Sequence, residues 1–233
     1  MKKQHSNTRL LCQLSAVAAL VLSGNAMADE AFSADSKWMT GDWGGERTKL
    51  IEQGIDIKAD YVGEMGANLH GGYNDDKTGR YSDQFGLGVA FDLQKLLGWD
   101  NTQAKIQLTN RNGQNISNDR IGDPRAGTLS SSQEVYGRGH MVRLTQLWVQ
   151  HQFLDGKLDV KAGYFGEGED FNTFPCDFQN LAFCGSQVGN WATGIWYNWP
   201  VSQAALRIKY NITPELYAPV SYTHLTLPTI LLV

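Results

Sequence analysis

Six charged residues stand where they could meet a polar solute in water: Glu64, Lys58, Asp60, Lys105, Arg111 and Arg143. A polar solute gives up hydrogen bonds to water as it enters a passage, and carboxylate, ammonium and guanidinium groups can replace them. The spacing of these residues matters more than their number. From Ile55 to Met65, the residues Asp56, Lys58, Asp60 and Glu64 alternate with Ile55, Ile57, Ala59, Tyr61 and Met65. A period of two puts the ionic set on one face of a strand and the apolar set on the other. Each charged residue also has a plainer use, as a solvated group or as the partner of a charge on a neighbouring strand.

Other chemistries have less to stand on. No Gly-x-Ser-x-Gly elbow and no His-Glu-x-x-His pair occurs, so the chain does not read as an enzyme and no cofactor is expected. His70, His140 and His151 are isolated from other plausible ligands, and no metal site is expected. The first residues combine Lys2, Lys3 and Arg9 with an apolar run from Leu10 to Leu22 and end in Asn25-Ala26-Met27-Ala28. This is the pattern of a Sec-type signal peptide, 1–28, cleaved between Ala28 and Asp29. Cys12 leaves with it, and Cys176 and Cys184 remain as an even pair in an oxidising compartment, where a disulfide is the default and zinc the competing use.

Loss of the three cationic residues takes the formal charge from −4 to about −7, which argues against a nucleic-acid partner. No stretch after Ala28 is apolar for long enough to cross a bilayer as a helix. Any crossing must use strands.

The elements that would position the charged residues alternate as the first segment does. Tyr81, Phe85, Leu87, Val89, Phe91 and Leu93 oppose Ser82, Gln84, Gly86, Gly88 and Ala90, while Ala104, Ile106 and Leu108 oppose Gln103, Lys105, Gln107 and Thr109. Arg143–Phe153 and Leu158–Phe165 flank Leu154-Asp155-Gly156-Lys157, whose Asp-Gly predicts a two-residue hairpin turn. Trp191–Asn198 and Ala204–Tyr210 complete a set of about seven strands. Short connections near 94–101 and 154–157 alternate with long ones at 66–80, 111–142 and 167–190, the asymmetry of bacterial barrels. After Trp191 both 199–202 and 212–215 look short, and the alternation assigns no sides. Ahead of the first strand, Arg47–Gln53 predicts a short helix that stops at Gly54.

Local patterns then carry a resemblance. They are Trp38-Met39-Thr40-Gly41-Asp42-Trp43-Gly44-Gly45-Glu46-Arg47; Thr109-Asn110-Arg111-Asn112-Gly113 running into Asn118-Asp119-Arg120-Ile121-Gly122-Asp123-Pro124; Arg143-Leu144-Thr145-Gln146-Leu147-Trp148; Gly166-Glu167-Gly168-Glu169-Asp170-Phe171; and the stretch from Phe174 to Gly185 that holds both cysteines. Together they resemble the carbohydrate-selective porin family, the OprB type, over roughly 32 to 217. The resemblance implies an all-β fold, an antiparallel transmembrane β-barrel of the outer-membrane type with about sixteen strands in a complete member. It implies passive diffusion of glucose-type sugars through a water-filled lumen in the Gram-negative outer membrane; the alternative is a general diffusion channel without sugar preference. Its partners would be small sugars, outer-membrane lipid and the barrel-assembly machinery, with assembly as a homo-oligomer left open.

The expected organisation is a signal peptide at 1–28, a segment with a short helix at 29–54, a partial barrel at 55–218 and a non-native tail at 219–233. The tail is suspected because Val220 to Thr229 departs from the family and matches a translated sequencing adapter, so His224 is given no functional weight. On the remaining chain Glu64, Arg111 and Arg143, with Lys58, Asp60 and Lys105, are the expected solute path. The segment 167–190 either folds inward or covers the rim. Trp148, Trp191, Trp196 and Trp199 are read first as interfacial girdle and second as sugar-stacking rings.

Overall fold

The computed structural model describes residues 30–126, 131–171, 175–184, 196–223 and 226–230, and they fall into two compact units divided after Gln53. The signal-peptide reading, Ala28 and Asp29 included, lies outside the described residues, as do Trp191 and His224. In the first unit, helix α1 (Glu46–Glu52) forms within one residue of its expected start. Asp42 accepts hydrogen bonds from the Thr48 backbone N–H and hydroxyl at 2.9 and 2.8 Å. The Arg47 guanidinium lies between the Trp38 and Trp43 rings, 4.7 and 4.9 Å from their centroids. These contacts give the aromatic-glycine motif a local structural role.

The second unit is one antiparallel sheet of eight strands paired strictly in chain order. They are β1 (Ile55–Asn68), β2 (Thr78–Asp92), β3 (Thr102–Gly113), β4 (Met141–Phe153), β5 (Leu158–Phe165), β6 (Gln203–Asn211), β7 (Tyr217–Thr223) and β8 (Thr226–Ile230). Among the described residues β1 and β8 each pair with a single neighbour, so the sheet is not closed. No helix of the described residues is long and apolar enough to cross a membrane.

Burial shows which face is which. Among the described residues the buried apolar groups are few, Ile116, Val135, Phe165, Phe171 and Cys184 with Pro200 and Pro219, while the buried polar set includes Glu64, Arg111, Gln146, Asp159, Lys161 and Arg207. Tyr61, Met65, Phe85, Leu87, Ile106, Leu108, Leu147, Val149, Leu206 and Ile208 are exposed on the opposite face. A water-soluble sandwich would show the reverse. The apolar stripe and polar interior fit a sheet with lipid on one side and water on the other.

Asp83 is the exception on the apolar face. It lies near the end of β2 that joins the long β1–β2 connection, where the Tyr61 hydroxyl donates to its carboxylate at 3.1 Å and the Asn112 amide at 3.4 Å. A charge costs little at the membrane boundary compared with the midplane.

Several expectations change. Strand β5 pairs directly with β6, from Leu158↔Tyr210 to Phe165↔Gln203, with no strand between them. Residues 191–195 of that candidate lie outside the described residues, and Trp196–Asn198 are not in a strand. Strand β7 runs across the expected boundary at 219, and β8 lies beyond it. With 166–202 as one long connection and 212–216 as a short one, the alternation of sides runs unbroken through β7. The β4–β5 turn has four residues, with positive φ at Leu154, Asp155 and Gly156, because Phe153 and Leu158 form the last pair. The β2–β3 connection contains a short helix, α2 (Leu93–Leu97), capped by the Asp92 carboxylate.

Candidate functional site: the inner face of the sheet

The polar face carries the candidate site. On β1, Glu64 is buried and accepts a hydrogen bond from the Val135 N–H at 3.0 Å. On β3, Arg111 is buried and donates through Nε to Gln84 Oε1 at 2.8 Å. The Trp199 indole donates to the same Gln84 oxygen at 2.9 Å. Glu64 and Arg111 therefore share one neighbourhood, roofed by the β3–β4 connection. Gln133 locks that roof, since its amide nitrogen lies within hydrogen-bonding distance of the Glu64, Arg80 and Gln114 carbonyls and the Ser82 hydroxyl. Burial pushes the Glu134 carboxyl up from its ordinary range, and the Arg111 guanidinium opposes that shift.

Lys58, Asp60 and Lys105 occupy a second, wetter neighbourhood toward the short connections. Lys58 is exposed and pairs with Asp56 at 3.1 Å. Asp60 pairs with Gly86 of β2, and its carboxylate lies over the glycine in the space a side chain would take. Lys105 stands in register with Trp148 and has no ion-pair partner within 4.0 Å among the described residues. Arg143, at the long-connection end of β4, donates to the Arg138 carbonyl and does not join either group.

A third neighbourhood, on β4 to β6, was not among the expected site residues. Arg207 pairs with Asp159 at 3.0 Å and with Asp170 at 3.6 Å, and Lys161 pairs with Asp170 and lies 3.8 Å from Glu169. Gln146 donates to Glu169 at 2.7 Å and Gln150 to Asp159 at 2.9 Å. The Lys161 and Arg207 side chains are 5% and 4% exposed, so this ionic cluster is dry where Lys58 is wet. Burial pushes the Glu169 carboxyl up, against the pull of Gln146 and Lys161. Alternation marks Asp159, Lys161 and Arg207 as inward; their cover comes from Glu169 and Asp170, which no periodicity locates.

Those two carboxylates show that the β5–β6 connection folds inward. They sit just after β5 ends at Phe165, yet they reach Lys161, four residues or roughly 13 Å back along the strand. Ser202 fastens the far end of the connection, donating to the Thr145 carbonyl at 2.5 Å. Thr145 is the extra residue of a β-bulge, where Gln107 pairs with Gln146 and Leu108 with Leu144. The bulge lets Arg143 and Gln146 share the inner face although their numbers differ in parity.

The tryptophans also turn inward. Lys161 Nζ lies 5.6 Å from the Trp148 ring centroid, Trp196 packs edge-on against buried Phe171, and Trp199 binds Gln84. These three are not part of an outer girdle, because the folded-in connections give them partners on the polar face. Cys176 and Cys184 are bonded to one another, and Glu134 Oε2 lies 3.4 Å from the Cys184 sulfur. The three groups sit close enough for a metal, but the disulfide uses both sulfurs. Its segment docks on the β3–β4 connection through Glu134 N–H to Gln179 O at 3.0 Å and Leu181 N–H to Ser131 O at 2.9 Å.

A sheet with lipid-type exposure outside, ionic residues inside and two connections folded over the ionic face is the arrangement of a porin wall. Comparison with known proteins decides which kind. Residues 76–225 match the model of the carbohydrate-selective porin, OprB family. The chain belongs to that family. It is 65% identical over 219 residues to Porin B of Pseudomonas aeruginosa, a match covering 94% of this chain and 48% of the relative. The high-pH structure of Pseudomonas putida OprB matches with a TM-score of 0.81 and 68% identity, over 82% of this chain and 46% of that one. The low-pH structure matches with a TM-score of 0.56 and 43% identity, over 82% and 52%. The chain thus spans about half the length of the relatives it matches. The OprB match reaches residue 225, so it includes all of β7.

Proposed function

We propose that this chain forms part of the wall of an outer-membrane porin that lets glucose-type sugars diffuse passively through a water-filled lumen. The observation that supports this reading most is the inward-folded β5–β6 connection, whose Glu169 and Asp170 narrow a face already lined by amides and paired charges. Paired charges and amides offer hydrogen bonds to hydroxyls without attracting ions of one sign. Binding must stay weak enough for release.

In this reading the protein is exported by its signal peptide, cleaved between Ala28 and Asp29, and inserted by the barrel-assembly machinery with lipid against the apolar face. It acts as a channel and not as an enzyme. Glu64 and Arg111 set the roofed part of the solute path, while Lys58, Asp60 and Lys105 line its wet part and Arg143 its rim. The Cys176–Cys184 bridge holds the inward segment against the β3–β4 connection.

Swelling of liposomes containing the complete porin tests this. Glucose is expected to enter faster than an equally sized neutral amino acid. Equal rates would leave a general diffusion channel, and no swelling with either solute would overturn the reading.

A further inference from the structure

A polar cavity lies at the short-connection end of the sheet, beyond Lys58, Asp60 and Lys105. A space of about 160 Å³ is lined by Asp92, Gln94, Asn101, Thr102, Gln103, Gln150 and Gln152. Asp92, Gln103 and Gln150 stand side by side in one row across β2, β3 and β4, since Asp92 pairs with Gln103 and Gln103 with Gln150. The left-handed Asn101 (φ 50) and the capped start of α2 close the row from the turn. Among the described residues the side-chain amides of Gln94, Asn101, Gln103 and Gln152 make no hydrogen bond to the protein. These four residues are exposed, so their amides are hydrated and can exchange water for the hydroxyls of a solute.

We propose that this cavity is a weak binding site for a neutral monosaccharide at the short-connection mouth of the channel. The inference deepens the sugar-channel reading and rests on it. An amide both donates and accepts, so a ring of amides matches a ring of hydroxyls whatever the rotamer of each O–H. No aromatic or cationic group lines the space, so stacking and anion binding have no support there. The volume is well below the roughly 300–1,000 Å³ of drug-sized clefts and suits one sugar ring. The Asp92 carboxylate, one oxygen of which caps α2, repels an acidic sugar and leaves its other oxygen for a hydroxyl.

The test uses the complete porin in a planar bilayer, with D-glucose or D-gluconate added to one side while the ion current is read. Glucose from the short-connection side is expected to block the current saturably, and the Gln103→Ala/Gln152→Ala variant to raise the half-blocking concentration about tenfold, as two lost neutral hydrogen bonds would. Gln103→Asn should recover part of the loss. Asp92→Asn, which keeps a capping side chain, should let gluconate block where it does not in the parent protein. An unchanged glucose titration in a variant with parental heat-modifiable gel mobility overturns the site, as does gluconate blocking the parent as well as glucose. Liposome swelling separates the two claims. Sugar entry with unchanged titration sinks the cavity alone, and absence of sugar entry sinks the channel reading.

Discussion

Two stretches of one polar face meet different fates. On β1 and β3, Lys105 is half-exposed, and the Lys58–Asp56 pair leaves the Lys58 side chain 72% exposed. On β5 and β6, Lys161 and Arg207 have the same alternation, yet their side chains are 5% and 4% exposed under Asp170 and Glu169. Strand period decides which face a residue takes. Whether that face is wet is decided by a connection that returns over it. The wet charges have water for partners, while the dry ones hold the connection that returns over them.

The sharpest way to break this comparison is to remove the shared carboxylate of the dry cluster. Asp170→Ala leaves Lys161 and Arg207 short of a partner in a buried place, a change that costs about 3–5 kcal/mol. Denaturant unfolding of the complete porin in detergent should show that loss, and Asp60→Ala, on the wet stretch, should stay within about 0.5 kcal/mol of the parent. Equal effects at the two positions would mean that burial does not distinguish them.

Gln133→Ala probes the other roof. Its amide nitrogen faces three carbonyls and a hydroxyl under the β3–β4 connection, and Gln133 Oε1 accepts from the Ile116 N–H at 2.9 Å. Leaving those buried groups unpaired should cost about 1–3 kcal/mol and make the connection a site of proteolytic nicking. Resistance to protease equal to the parent's would show that the roof is held by something else.

Glu134 gives a pH-dependent form of the same test. Burial raises its carboxyl above the ordinary range, so the folded protein binds this proton more tightly than the unfolded chain does. The stability it contributes is therefore full below the unfolded carboxylate pKa and falls as pH rises through the raised folded value. Glu134→Gln should flatten that part of the profile, with the variant gaining on the parent as pH increases. Melting curves across the carboxylate range that stay parallel would count against a buried Glu134.

Much of the sheet was legible because alternation is local. The limits of β1, β3, β5 and β6 fall within a few residues of the alternating segments, Glu64 lies inward as its alternation requires, and Arg111, expected at a strand end, lies inward on a longer β3. What was not legible depends on long-range return of the chain. Of the candidate strand Trp191–Asn198, Trp196–Asn198 are not in a strand, and β5 and β6 pair directly with one another. The tryptophans resemble a girdle, yet Trp148, Trp196 and Trp199 find partners on inner strands or folded-in segments. Glu169 and Asp170 carry no periodic signal, so their place over Lys161 could be learned only from the fold. The β-bulge at Thr145 likewise defeats parity counting from Arg143 to Leu147.

The smallest effect on stability is expected where the effect on transport is most informative. Lys105 has no ion-pair partner among the described residues and stands beside Trp148 on the inner face. Lys105→Gln removes one half-exposed charge and should move the unfolding free energy by less than about 0.5 kcal/mol. Its charge, however, faces the lumen, where the dry cluster has already neutralised most of its own. The variant should therefore shift the reversal potential of the complete porin toward cations while glucose swelling is altered only modestly. If Lys105→Gln leaves ion selectivity unchanged and Glu169→Gln shifts it, the covered stretch, and not the open one, sets what the solute meets, and the roles assigned to the two stretches must be exchanged.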